Sequence, residues 1–185
     1  MLSGATGHAI DPDRIGMSGH SFGGWTTLKT IEVDNRVRAG VPLAPGGGRT
    51  GGDLGDMPDD LLFDWGREVP VLYLVGEADS ILPLDGMRDL HQRNPEPRTT
   101  VVLLNADHFH FNDNIEATHD GFKQLMGTMA AADGAPPEMA GMLGKMKESS
   151  DLVPGSHAYR LINGLGLAHF DATLRRFPAA STLLA

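Results

Sequence analysis

The stretch Arg14–Leu28, RIGMSGHSFGGWTTL, decides how the rest of the chain is read. It opens with Ile15 and Met17 between small residues, downstream of Asp11-Pro12-Asp13. A short apolar run with that boundary reads as a buried strand. It closes in a helix pattern from Phe22 to about Val33, with Trp25, Leu28 and Ile31 at helical spacing. Between the two lies Gly19-His20-Ser21-Phe22-Gly23. G-x-S-x-G after a strand and before a helix is a nucleophile elbow. The turn is so sharp that the serine takes a strained backbone, and glycines flank it because strand and helix crowd those positions. The hydroxyl is then aimed out at the carboxyl end of the sheet. The N–H groups of the helix start stand ready for a developing negative charge. The Phe22 N–H is the expected oxyanion donor. With 24 glycines in the chain, a chance match in a glycine-rich loop is the competing account. The strand and helix patterns on its two sides argue against it.

A serine hydroxyl is a weak nucleophile unless a base takes its proton and a carboxylate orients the base. On this kind of elbow the chain order is Ser, acid, His. VPVLYLVG, with a strand expected over Val69–Val75, is followed by EADSILP. Asp79 lies beyond the strand end, where a ligand-facing side chain belongs. Glu77 competes, and a loop acid that only caps the next helix is the structural alternative. RTTVVLLNA, with a strand over Thr99–Leu104, is followed by DHFHF. His108 is nearer the strand end and is read as the base, with His110 as a pocket-lining residue. A His-x-His metal site is the sharpest rival, but no HExxH accompanies it and the chain has no Cys. No metal and no cofactor are expected. His20 is read as packing under the elbow. His8, His91, His119, His157 and His169 belong to no constellation.

RVRAGVPLAP supplies one more strand, Val37–Leu43. Near-continuous apolar strands alternating with helices, one of them over Asp85–Gln92, imply an α/β fold. Its sheet has about four mostly parallel strands covered on both faces. Gly46–Trp65 reads as a long loop with a short turn of helix. Beyond the strands the texture turns helical: Ile115–Ala131, with Phe122, Leu125, Met126 and Met129 grouped on one side, then Pro137–Met146, then His157 to Phe170 or a little beyond. Met139, Met142 and Met146 form a stripe that suits core packing. Met139 and Met142 alternatively give a pocket a flexible wall.

The 185 residues suit one domain, and 41% hydrophobic residues allow a sizeable core. A formal net charge of -9 argues against nucleic-acid or anionic-membrane partners. No apolar run approaches the roughly 18 residues of a membrane span. Residues 1–13 lack the apolar core of a signal peptide, so a cytoplasmic location is expected.

DPDRIGMSGHSFGGWTTL, RVRAGVPLAP, VPVLYLVGEADSILP and TTVVLLNADHFHF occur in order from Asp11 to about Phe111. In these landmarks the chain resembles the α/β-hydrolase superfamily. It looks most like the dienelactone-hydrolase-like and platelet-activating-factor-acetylhydrolase-like branch, close also to bacterial cutinase-type polyester hydrolases. The resemblance implies Ser21 as nucleophile, Asp79 as acid and His108 as base, in an enzyme acting on small-molecule carboxylic esters. It does not cover residues 112–156, which are expected to form a helical lid or cap. In that superfamily the elbow follows the fifth of eight strands, whereas no strand pattern precedes Arg14. The resemblance therefore implies the C-terminal half of such a domain, without the loop that gives the second oxyanion N–H. Three expectations follow: weak activity, an elbow strand left as an open sheet edge that favours self-association, and two rival functions. The rivals are an inactive binding or assembly module, and a thioesterase or peptidase on the same triad.

Overall fold

The computed structural model of the protein describes residues 11–49 and 60–184. Four parallel strands form one sheet in chain order. They are β1 (Ile15–His20), β2 (Val37–Leu43), β3 (Val71–Gly76) and β4 (Arg98–Leu103). Six helices accompany them: α1 (Phe22–Val33), α2 (Leu84–Arg93), α3 (Ile115–Ala130), α4 (Pro137–Lys145), α5 (Gly155–Thr173) and α6 (Pro178–Leu184). This is the α/β architecture the alternating pattern implies.

β3 shows why the sheet is covered on both sides. All six of its residues are buried. Val71, Tyr73 and Val75 join Leu28, Ile31, Met87 and Leu90 in a core shared with α1 and α2. Leu72 and Leu74 face the other way, into a core with Ala158 of α5 and Ile115 of α3. Side chains alternate across a strand, so a strand buried on both faces must be apolar throughout. Pairing begins at Val71 and not at the expected Val69, because Pro70 has no N–H to offer the ladder. Its carbonyl still accepts from Gly40 N–H at 3.0 Å. At the edge of the sheet, among the described residues, β1 pairs only with β2, from Ile15↔Val37 to His20↔Leu43, with a one-residue register shift between Ile15 and Gly16.

One helical expectation is corrected, and one helix has no counterpart in the sequence pattern. In α3 the buried positions are Ile115, His119 and Met126, with Phe122 packed beside them. Leu125 and Met129 sit one step round the helix and are largely exposed. α6 follows no apolar stripe; only its Ala180 is buried. α5 continues from Gly155 to Thr173 despite Gly164 and Gly166, because packing on the sheet outweighs their poor helix propensity. The short turn of helix expected within Gly46–Trp65 lies outside the described residues or has no counterpart in 46–49 and 60–65.

The elbow glycines are not equivalent. A Cβ on Gly19 would overlap the backbone of Gly23, and one on Gly24 would come within 2.8 Å of Pro45 Cα. A Cβ on Gly23 itself would meet nothing within 4 Å. Gly19 is thus required where strand and helix touch backbone to backbone, whereas Gly23 has room. Gly19→Ala is expected to cost at least about 2 kcal/mol, because the obstruction is backbone that cannot step aside. Gly23→Ala should stay within about 1 kcal/mol of the parent. Urea unfolding of both variants checks this.

Candidate active site

Ser21 occupies the junction between β1 and α1 with φ 58° and ψ -115°. Non-glycine residues avoid positive φ, so the surroundings must hold it there. Its N–H donates to Leu43 O at 2.9 Å. Its carbonyl accepts from Gly24 N at 3.0 Å, Trp25 N at 3.1 Å and Gly46 N at 3.2 Å. The strain is offset by this full use of the serine's own backbone. Phe22 opens α1, and its ring, 55% exposed, stacks on Trp25 at 5.0 Å.

The structure brings three of the sequence-nominated side chains together. Ser21 Oγ lies 3.0 Å from His108 Nε2. His108 Nδ1 lies 2.8 Å from Asp79 Oδ2. Because a carboxylate only accepts, Nδ1 carries the proton and Nε2 is left to accept from the hydroxyl. Asp79 is buried, and its other oxygen accepts from Ile81 N at 2.9 Å and Leu82 N at 2.8 Å. Glu77 is directed elsewhere: its Oε2 accepts from Asn105 N at 2.9 Å. The loops that carry Asp79 and His108 are tied to each other by Ala78 N–H donating to Ala106 O at 2.8 Å. A hydroxyl, an imidazole and a carboxylate bonded in series can move a proton from oxygen to Nε2 while the far carboxylate holds the ring.

His110, expected at a pocket wall, is fully buried and serves the base turn, His108–Phe111. Its Nε2 donates to Val153 O at 2.9 Å, and its Nδ1 meets Asp107 Oδ1 at 2.7 Å and Asp107 N at 2.9 Å. Neutral, Nδ1 accepts the Asp107 N–H; protonated, it donates to the carboxylate. Burial alone would lower its pKa, but the bonds to Asp107 and Val153 outweigh burial and raise it. His119, assigned to no constellation on sequence grounds, belongs here too. It is buried, with Nε2 3.0 Å from Asp107 Oδ2 but off the line of a hydrogen bond. Asp107 Oδ1 also accepts from Phe109 N at 2.9 Å. One carboxylate therefore gathers the turn that carries His108, and no sequence spacing signals that arrangement.

Met142 and Met139 follow the core-packing reading of their stripe and not its pocket-wall alternative. Met142 is 1% exposed in a small core with Ile81, Phe109, Met126 and Met146, and Met139 packs against that core. Ile81 lies two residues past Asp79, and Phe109 directly follows His108. The methionines of α3 and α4 thus grip both loops from one side. Among the described residues, no group of three or more His, Asp or Glu is arranged to hold a metal ion. No described helix is long and apolar enough to cross a membrane.

His20 packs against the ring of His108 and not merely beneath the turn at Ser21. Its ring centroid is 4.6 Å from that of His108 and 5.7 Å from that of Phe111. Its Nε2 is buried without a hydrogen-bond partner. Burial first, and the neighbouring His108 second, pull its pKa down to about 4. A histidine lowered on folding stabilises the fold fully above its unfolded pKa near 6.5, and that stability is lost as pH falls toward the folded value. His169, lowered by burial, acts in the same direction. His110, raised on folding, acts in the opposite one. His20→Phe removes the first contribution alone. Between pH 7 and pH 5 the parent is expected to lose about 2 kcal/mol more than this variant in urea unfolding.

No protein-family model matches the chain. The solved structures similar to it include the following three. An esterase domain from Rhodothermus marinus is 21% identical with a TM-score of 0.43, over 62% of this chain and 60% of its own. An α/β serine hydrolase homologue from Coxiella burnetii is 21% identical with a TM-score of 0.41, over 52% of this chain and 42% of its own. A puromycin-hydrolysing peptidase from Mycobacterium tuberculosis is 16% identical with a TM-score of 0.50, over 89% of this chain and 22% of its own. At 16% identity the likeness to the peptidase is one of fold alone. The chain spans less than two thirds of each.

Proposed function

We propose that the protein is a serine hydrolase acting on carboxylic esters, with Ser21 as nucleophile, His108 as general base and Asp79 as its orienting acid. The observation that carries this reading is the unbroken series of hydrogen bonds, 3.0 Å from Ser21 Oγ to His108 Nε2 and 2.8 Å from His108 Nδ1 to Asp79 Oδ2. The positive φ of Ser21 supports it further, since a backbone outlier at the head of a helix marks a site that the surroundings have been built to hold.

In the proposed reaction Ser21 Oγ attacks the ester carbonyl as His108 Nε2 takes its proton. Asp79 keeps Nδ1 protonated and stabilises the imidazolium. The Phe22 N–H donates to the tetrahedral oxyanion, aided by the start of α1. His108 then protonates the departing alcohol, leaving an acyl group on Ser21. Water, deprotonated by His108, attacks that acyl carbon and frees the acid. Residues 112–156 act as a helical cap whose methionine core keeps the acid and base loops in register. One missing oxyanion donor typically costs about 10²–10³ in turnover. With the Phe22 N–H as the one donor assigned here, hydrolysis is expected to be slow.

A fluorophosphonate should label the folded chain at Ser21, and Ser21→Ala should abolish both the label and hydrolysis of p-nitrophenyl acetate. Folded protein that takes no label would sink the reading and leave the binding-module alternative. Asp79→Asn should lower kcat by about 10⁴, through the wrong tautomer of His108, with little effect on KM. Met142→Ala empties part of the cap core, so about 2–5 kcal/mol of stability should go with it. Labelling of the still-folded fraction should slow as well.

A further inference from the structure

The opposite end of the sheet carries a feature that the proposed reaction does not use. A cleft of about 700 Å³ opens there, lined by Arg14, Arg38, Arg175 and Arg176 together with Asp11 and Asp13. Four guanidiniums stand against the two lining carboxylates and Asp171 beside Arg175, a local excess of one positive charge in a chain whose net charge is -9. The arginines come from three separate places. Arg14 precedes β1, Arg38 is the one exposed residue of β2, and Arg175 and Arg176 follow the end of α5.

Their partners differ. Arg14 pairs with exposed Asp11 at 2.6 Å, and Arg175 with Asp171 at 2.9 Å. Arg38 and Arg176 have no hydrogen-bond or ion-pair partner among the described residues. Cations near a helix C-terminus complement its dipole, which accounts for Arg175. It does not account for Arg38, which sits on a strand and whose charge, after burial, helps to lower the pKa of nearby Arg67. Nor does it account for the backbone at Arg176. That residue has φ 54°, within a turn closed by Phe177 N–H donating to Asp171 O at 2.9 Å. Glycine is the residue that adopts this conformation without strain. An arginine kept there, beside a second unpaired arginine, is a backbone outlier that places a guanidinium at the cleft.

We propose that this cleft binds a multiply charged phosphoryl anion, a phosphate ester or pyrophosphate, with Arg38 and Arg176 as its main ligands. The planar fork of a guanidinium matches phosphate oxygens two at a time. Asp11 and Asp13 disfavour anions that cannot engage both unpaired arginines at once. The inference is independent of the ester-hydrolase reading.

Isothermal titration of the full chain with pyrophosphate, at fixed ionic strength, tests it. Saturable one-to-one binding is expected, with citrate at least tenfold weaker. Arg38→Gln and Arg176→Gly should each weaken pyrophosphate at least tenfold, while Arg88→Gln, on the exposed face of α2, should leave it unchanged. Arg176→Gly relieves the left-handed backbone, so it should melt no lower than the parent, which separates lost binding from lost folding. Absence of saturable binding, undiminished binding in both cleft variants, or equal affinity for citrate would overturn the assignment. Fluorophosphonate labelling of Ser21 in the same samples reports on the other end of the sheet separately.

Discussion

The geometry of the molecule depends on a contact between backbones. β1 and α1 meet so tightly that Gly19 and Gly23 touch without room for a side chain on the former. That contact forces the residue between them into positive φ, and the sequence puts a serine there. The neighbouring chain then makes the conformation tenable. β2 accepts the Ser21 N–H through Leu43, and Gly24, Trp25 and Gly46 all donate to its carbonyl. The hydroxyl direction is thus decided by the main chain before any side-chain interaction is considered.

His108 is held by a different kind of constraint. His108 belongs to a short turn whose own hydrogen bonds are few, so its position is set from outside. Asp79 holds one side of the ring and His20 packs against its face. Asp107, with His110 and His119, fastens the turn from behind to α3 and to the segment before α5. Asp107 and His110 satisfy each other here, whereas the buried Nε2 atoms of His20 and His119 have no hydrogen-bond partner among the described residues, so the arrangement is specific and sensitive to the loss of any one member. The methionine core of α3 and α4 adds a non-directional grip on the same two loops. Polar contacts supply direction and apolar packing supplies pressure.

Much of this was legible in the sequence because it is local. A strand pattern, an elbow and a helix pattern follow one another within Arg14–Leu28, and each of the three remaining strands is a short apolar run. Asp79 and His108 could be nominated because both stand just past strand ends, where a parallel sheet collects its side chains. What was not legible depends on where distant segments meet. His119 reaches Asp107 only because α3 folds back over the base turn. His110 carries the same residue type and almost the same position as His108, and only the turn decides which of the two faces the serine and which the interior. The stripe expected on α3 fails because the buried arc is set by the neighbours it meets: Ile115, His119 and Met126 are turned inward, Leu125 and Met129 outward. Which glycine the elbow needs is likewise a matter of interatomic distance and not of motif spelling.

The bond between hydroxyl and imidazole joins residues 87 apart in the chain, whereas imidazole and carboxylate are 29 apart. The shorter link is made between adjacent loops on paired strands, the longer one across the width of the sheet. Closing a longer loop carries a larger entropic cost, and here a single side-chain hydrogen bond completes it. The carboxylate and imidazole therefore form a subassembly that survives small rearrangements, while the step to the serine registers any slide of β1 against β3 and β4. Alignment of the site is, in this sense, a gauge of how well the outermost strand is seated.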